Sequence, residues 1–288
     1  MPHFDTPEPI SVMLELVSGT VRIRASDRTD TSVQILPSNG AESDDVRLAE
    51  ATTVDYSAGK LRIGSPKRWK ASSFLGEGGS LDVVIDLPTG SRVAATAWAA
   101  TFRATGTLSD CVLKTSDGDI WLDTGASLDL RTDSGDIAVD RATGHAKITT
   151  ETGAVRVREL ESTAAVKDGE GNIWIGTSTG DLTVYAGNGD IAIDRALTTV
   201  TAKTEDGDVH VGEVSDGEVS LETANGDLEV GIAKGVAVWL DAKTVYGDVR
   251  NALTADDMPD QSKPTVTVRA RTANGDITIN RSHLAPRD

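Results

Sequence analysis

One pattern, Thr-x-x-Gly-Asp-φ-x-φ with φ aliphatic, recurs through the chain and limits its fold more than any other feature. Thr115-Ser116-Asp117-Gly118-Asp119-Ile120-Trp121-Leu122 is followed by Thr132-Asp133-Ser134-Gly135-Asp136-Ile137-Ala138-Val139. Thr150-Glu151-Thr152-Gly153-Ala154-Val155-Arg156-Val157 comes next, and the pattern returns at Gly171, Gly189, Gly207, Gly226, Gly247 and Gly275. The glycine spacings are 17, 18, 18, 18, 18, 19, 21 and 28. A fixed short period is the signature of a repeat architecture, in which each unit buries its apolar face against its neighbours.

Each unit carries two stretches of alternating apolar and polar residues. Leu128-x-Leu130, Leu182-x-Val184, Val219-x-Leu221 and Val266-x-Val268 lie before the glycines, and Ile120/Leu122, Ile191/Ile193 and Leu228/Val230 lie after them. Period-two alternation predicts strands with one face buried and the other solvated. Five of the glycines sit in Asn-Gly (188–189, 225–226, 274–275) or Asp-Gly (117–118, 206–207) turns, where positive φ costs them least.

Two architectures fit these turns. An Asn-Gly or Asp-Gly pair can close a hairpin, giving an antiparallel meander or propeller. Alternatively, each unit of about 18 residues is one coil of a solenoid, with equivalent strands stacked in parallel about 4.8 Å apart. The near-constant period favours the solenoid, as do like residues at equivalent positions. Thr recurs three places before the glycine at 115, 132, 150, 204, 223, 244 and 272. Such a β-branched column can stack and pass hydroxyl hydrogen bonds between coils. The expected fold is therefore an all-β β-solenoid, or single-stranded β-helix, of the commoner right-handed type.

The expected organisation is a single repeat domain over 1–288, with irregular coils at 10–112, nine repeats at 113–281 and a tail at 282–288. In the irregular part, 10–17, 20–25, 32–36, 60–63 and 81–87 read as strands. Ser43 to Glu50 reads as one short helix, with Ser43, Asp44 and Asp45 as cap candidates. The segment 65–80 contains Lys67-Arg68-Trp69-Lys70, a basic, aromatic stretch that is a candidate contact site on an acidic chain. The segment 252–264 reads as a surface loop between coils.

Composition narrows the function. A net charge of −17 repels nucleic acid and anionic lipid, so neither is an expected partner. At 4% aromatic residues, the core is expected to be thin and aliphatic. Cys111, the one cysteine, lies in an apolar context and reads as a core residue. No basic and apolar leader and no membrane-length apolar run is evident, so the expected location is cytoplasmic.

No catalytic, cofactor-binding or metal site is assigned. His3, His145, His210 and His283 lack ligand spacing, and no nucleophile elbow, phosphate loop or dinucleotide fingerprint occurs. Asp190, Asp208, Asp227, Asp248 and Asp276 are expected to form a column at coil spacing. Their leading role is to accept turn N–H groups, and cation binding is the alternative. Trp121 and Trp174 fall between the two φ positions, hence on the outer face.

The repeat resembles the bacterial β-strand-repeat family of unknown function labelled "putative adhesin". It is most similar to the actinobacterial type, which opens with a segment like Phe4-Asp5-Thr6-Pro7-Glu8-Pro9-Ile10 here. The resemblance spans about residues 4–281, and it implies a solenoid-like fold without an established enzymatic activity. The expected function is that of a non-enzymatic cytoplasmic binding or scaffold protein, which presents a solenoid surface to a protein partner and needs no cofactor. Its alternatives are a self-assembling or adhesin-like structural solenoid and a carbohydrate-active β-helix enzyme. The repeat is compatible with both a monomer and end-to-end association.

Overall fold

The structure is a computed structural model that describes residues 2–66, 79–253 and 265–282. Internal packing divides the chain into two units, Met1–Thr143 and Gly144–Asp288. Both are all-β and built from short strands joined into parallel ladders, so each is a solenoid-like stack of coils. The helix Ser43–Ala51 is the exception.

Each coil of the second unit contributes one strand to each of two ladders. The first ladder takes Ala164–Glu170, Leu182–Asn188, Val200–Asp206 and Gly217–Asn225 in parallel register. The second takes Ile173–Ser178, Ile191–Ala196, Val209–Val214 and Leu228–Ile232. The strands on either side of Gly207 thus belong to different ladders, and the Asp-Gly turn does not close a hairpin. Register follows the repeat directly, with Ile173 opposite Ile191 and Ile191 opposite Val209. Ile173, Ile191, Val209 and Leu228 are each 1% exposed, so the φ positions form a continuous aliphatic core. Burying one such side chain contributes about 1.5–3 kcal/mol.

The last two coils stack out of chain order. Gly217–Asn225 pairs with Thr265–Asn274, and Thr265–Asn274 pairs on its other side with Ala237–Tyr246. In the second ladder, Leu228–Ile232 pairs with Ile277–Arg281, which pairs in turn with Val249–Asn251. The final coil is therefore inserted beneath the penultimate one. The expected surface loop at 252–264 lies almost wholly outside the described residues.

The first unit repeats this device at the start of the chain. Ser11–Glu15 lies between Lys60–Gly64 and Arg92–Thr96, and Ser18–Ser26 lies between Leu81–Pro88 and Ala99–Lys114. Here the outermost coil is covered by antiparallel strands. Thr53–Ser57 pairs with Lys60–Gly64, and Asp30–Pro37 pairs with both Leu81–Pro88 and His3–Asp5.

The helix forms where the sequence predicts it, but its capping differs. Glu42 is the N-cap and supplies no side-chain hydrogen bond. Asp45 is buried and accepts from the N–H groups of Asn39 at 2.8 Å and Ser80 at 2.7 Å. A carboxylate that satisfies two loop amides is better used there than at the more exposed helix end.

Candidate binding surface

The repeat residues are first of all a fastening between coils. Thr204, Thr223 and Thr272 are buried, and each hydroxyl donates to a glycine carbonyl of the coil below. The pairs are Thr204 to Gly189 at 3.1 Å, Thr223 to Gly207 at 3.0 Å and Thr272 to Gly226 at 3.0 Å. Gly207 itself has φ +144°, and a Cβ on it would stand 2.2 Å from the Gly189 carbonyl oxygen. Close stacking of the turns thus excludes every other residue type. Asp168 occupies the threonine position in its own coil and is fully buried.

The aspartates form a second fastening. The N–H of Asp208 donates to Oδ1 of Asp190 at 2.9 Å, and that of Asp227 to Oδ1 of Asp208 at 2.7 Å. Asp276 donates to Asp227 at 2.7 Å, and Asp248 to Asp276 at 2.9 Å. The column expected from the sequence therefore exists, but its order is 190, 208, 227, 276, 248. Asn172 begins it by accepting from Asp190 at 2.9 Å. The structure thus gives the carboxylates of Asp190, Asp208, Asp227 and Asp276 the turn-amide role, and Asp248 ends the column. Among the described residues, no three His, Cys, Asp or Glu side chains gather as a metal would require.

The tryptophans expected on the outer face are there, and both are stacked. The Arg103 guanidinium lies 4.1 Å from the Trp121 ring centroid, and that of Arg156 lies 4.3 Å from Trp174. Trp174 also donates from Nε1 to Asp194 at 3.1 Å. Beside it is a pit of about 270 Å³, lined by Arg158, Glu159, Gly176, Thr177 and Arg195 as well. Arg195 is committed to Glu213 at 2.8 Å. Cys111 is buried, and desolvation pushes its thiol up to about 12. The segment Lys67-Arg68-Trp69-Lys70 lies outside the described residues.

The more open surface lies on the first ladder of the second unit. There, outward residues at successive layers run Lys203, Glu222, Arg271, Lys243, as the strand registers require. The adjacent row runs Glu205, Ala224, Ala273, Val245. Two alanines between longer neighbours leave a groove of about 410 Å³. Lys203 contacts Glu222 at 3.0 Å, and that contact raises its ammonium above the usual lysine value. Glu205 accepts from the Tyr185 hydroxyl at 2.8 Å. Arg271 pairs with Asp241, whereas Lys243 has no ion pair or hydrogen bond among the described residues. Periodicity located the outer face, but the groove depends on which coils become neighbours, and that order was not readable from the repeat.

Comparison with known proteins decides the lineage. The Toastrack DUF4097 family model matches residues 10–280. The chain belongs to the DUF4097 Toastrack family. Among solved structures, this Toastrack chain is similar to a "putative adhesin" from Parabacteroides merdae, at 12% identity and TM-score 0.38, over 96% of this chain and 94% of that one. It is similar to a "putative adhesin" from Bacteroides fragilis, at 11% identity and TM-score 0.36, over 96% and 95%. A "putative lipid binding protein" from Parabacteroides distasonis aligns at 11% identity and TM-score 0.35, over 97% and 95%. No protein of curated function matches the Toastrack chain.

Proposed function

We propose that this Toastrack chain is a non-catalytic binding protein that offers the outer face of its stacked coils to a protein partner, in the cytoplasm. The observation that carries this reading is the groove over Ala224 and Ala273, which is lined by charges of both signs, Lys203, Glu222, Arg271 and Lys243 on successive layers. A rigid floor of hydrogen-bonded strands holds those charges in a fixed pattern. Mixed charge at strand spacing complements protein side chains, whereas a polyanion needs a continuous basic track. The repeat carboxylates are engaged in holding the turns together, which supports a scaffold role for them over a chemical one.

A photo-crosslinking residue placed at Ala273, in the groove, tests the proposal in cells of the source organism. A discrete adduct heavier than a doubled chain, absent when the probe is placed at Thr183 on the same ladder, is the expected result. Equal labelling at both positions, or none at either, refutes the groove as the binding face. Fractionation of the same cells tests the location, and recovery of the chain outside the soluble cytoplasmic fraction overturns it.

A further inference from the structure

The strand Ala237–Tyr246 is the outermost layer of its ladder. Among the described residues it has a ladder partner on one side alone, the strand Thr265–Asn274. Its free edge carries large apolar side chains in solvent: Trp239 is 60% exposed, Val245 63% and Tyr246 73%. In the second ladder of the same coil, Val249 is 43% exposed. In the first unit, by contrast, antiparallel strands cover the outermost coil. An unpaired edge of this length is a template for another strand.

The edge is complementary to itself. Register with Thr265–Asn274 puts Trp239, Asp241, Lys243 and Val245 on the outer face, and Leu240 and Ala242 on the opposite one. When two copies meet antiparallel in one continuous sheet, residues directly opposite must share a face. A two-fold axis must then pass through a residue of the strand. An axis at Asp241 sets carboxylate against carboxylate, and one at Lys243 sets ammonium against ammonium. An axis at Ala242 sets Asp241 against Lys243 twice and Trp239 against Val245 twice. Opposite charges and an aromatic paired with a β-branched residue are the favourable cross-strand combinations. A lysine alone would blunt the edge. Lysine two residues from an aspartate, about a small central residue, specifies a register.

We infer that the edge strand Ala237–Tyr246 is a homodimerisation surface, joining two copies of this chain as an antiparallel β-sheet about a two-fold axis at Ala242. The pairing goes beyond the proposed partner binding: it engages Lys243 and Val245 at the groove's outermost layer, while the sheet grows in its own plane and the face over Ala224 and Ala273 stays open. A two-fold contact also closes on itself and does not propagate into a filament.

The test is light scattering on a sizing column with the full chain across a concentration series. The wild type is expected to rise from 30.2 kDa to twice that mass and no further. Lys243→Asp and Asp241→Lys are each expected to keep a wild-type circular dichroism spectrum and to weaken association at least ~10-fold. Mixed in equal amounts, the two variants are expected to recover the doubled mass, since one edge then carries two carboxylates and the other two ammonium groups. Ala242→Cys is expected to oxidise to a single covalent dimer. Antiparallel partners stand about 4.5–5.5 Å apart at Cα, within disulfide reach. A wild-type mass of 30.2 kDa at every concentration overturns the inference, as does growth beyond the dimer. So does failure of the mixed variants to associate. A groove partner captured at Ala273 by a chain that stays monomeric would remove the dimer and leave the proposed function standing.

Discussion

The N–H of Asp276 donates to Oδ1 of Asp227 at 2.7 Å, across 49 residues of sequence. The same bond joins neighbours 18 residues apart at Asp190 and Asp208, at 2.9 Å. One geometry thus recurs whatever length of chain separates the two coils. What is repeated in this protein is the layer contact, and chain connectivity is secondary to it.

Replacing Asp227 with Ala removes the acceptor for Asp276 in a solvent-exposed turn. The expected loss is about 1 kcal/mol in a urea titration. Asp227→Asn is expected to restore most of it, because Asn172 already accepts from Asp190 at 2.9 Å in the same role.

Thr223→Val keeps the branched shape and deletes the hydroxyl that donates to the Gly207 carbonyl at 3.0 Å. Thr223 is 3% exposed, so that carbonyl loses its partner where water is scarce. The expected cost is about 1–2 kcal/mol, measured in the same titration. Thr223→Ser, which keeps the donor, is expected to lie closer to the wild type.

Gly275→Ala meets two obstacles. Its φ is +147°, and the added Cβ would stand 2.0 Å from the carbonyl oxygen of Gly226. Thermal unfolding is expected to show a loss of about 4 kcal/mol or failure to fold. Gly59, at φ +73°, has open space where a Cβ would stand, with nothing within 4 Å. Gly59→Ala is therefore expected to cost about 1 kcal/mol, the backbone strain alone.

Cys111 sets a pH dependence at the alkaline end. Burial raises its thiol from 9.0 to about 12 in the folded chain. The unfolded chain therefore releases this proton first, and the folded state loses stability as pH rises from 9.0 towards about 12. Cys111→Ala is expected to flatten that limb of the stability curve, and a thiol reagent at about pH 8, near the ordinary thiol range, is expected to label the wild type in denaturant alone.

Calcium at millimolar concentration is expected to leave the melting temperature unchanged, since the column carboxylates already hold the turn amides of the next coil. A rise in melting temperature would show that their second oxygens can still ligate a cation.

The layer itself was legible from sequence. Alternation at Leu182-x-Val184 and Ile191-x-Ile193, the turn glycines and the threonine column all follow from contacts between equivalent residues. The stacking order was not. A period states which residues are equivalent, but Asp248 and Asp276 are equally good neighbours for Asp227, and ladder hydrogen bonds do not distinguish them. The spacing of 28 between Gly247 and Gly275 gave a hint, because it leaves enough chain to turn back. The same ambiguity hid the placing of Ser11–Glu15 between two later strands. The groove and the free edge were illegible for this reason, since both depend on which coil is outermost.

The inserted final coil also constrains the order of assembly. While the chain is being synthesised, residues 217–232 and 237–251 emerge before the strands that will separate them. Until residues 265–281 arrive, the two earlier coils must either stand apart by about twice the strand spacing or pair directly with each other as wrong neighbours in an equivalent register. Correct maturation then requires a late opening to admit the last strands. A nascent chain stalled before residue 265 is expected to be a trapped species, and a chaperone that holds that layer open would speed its escape.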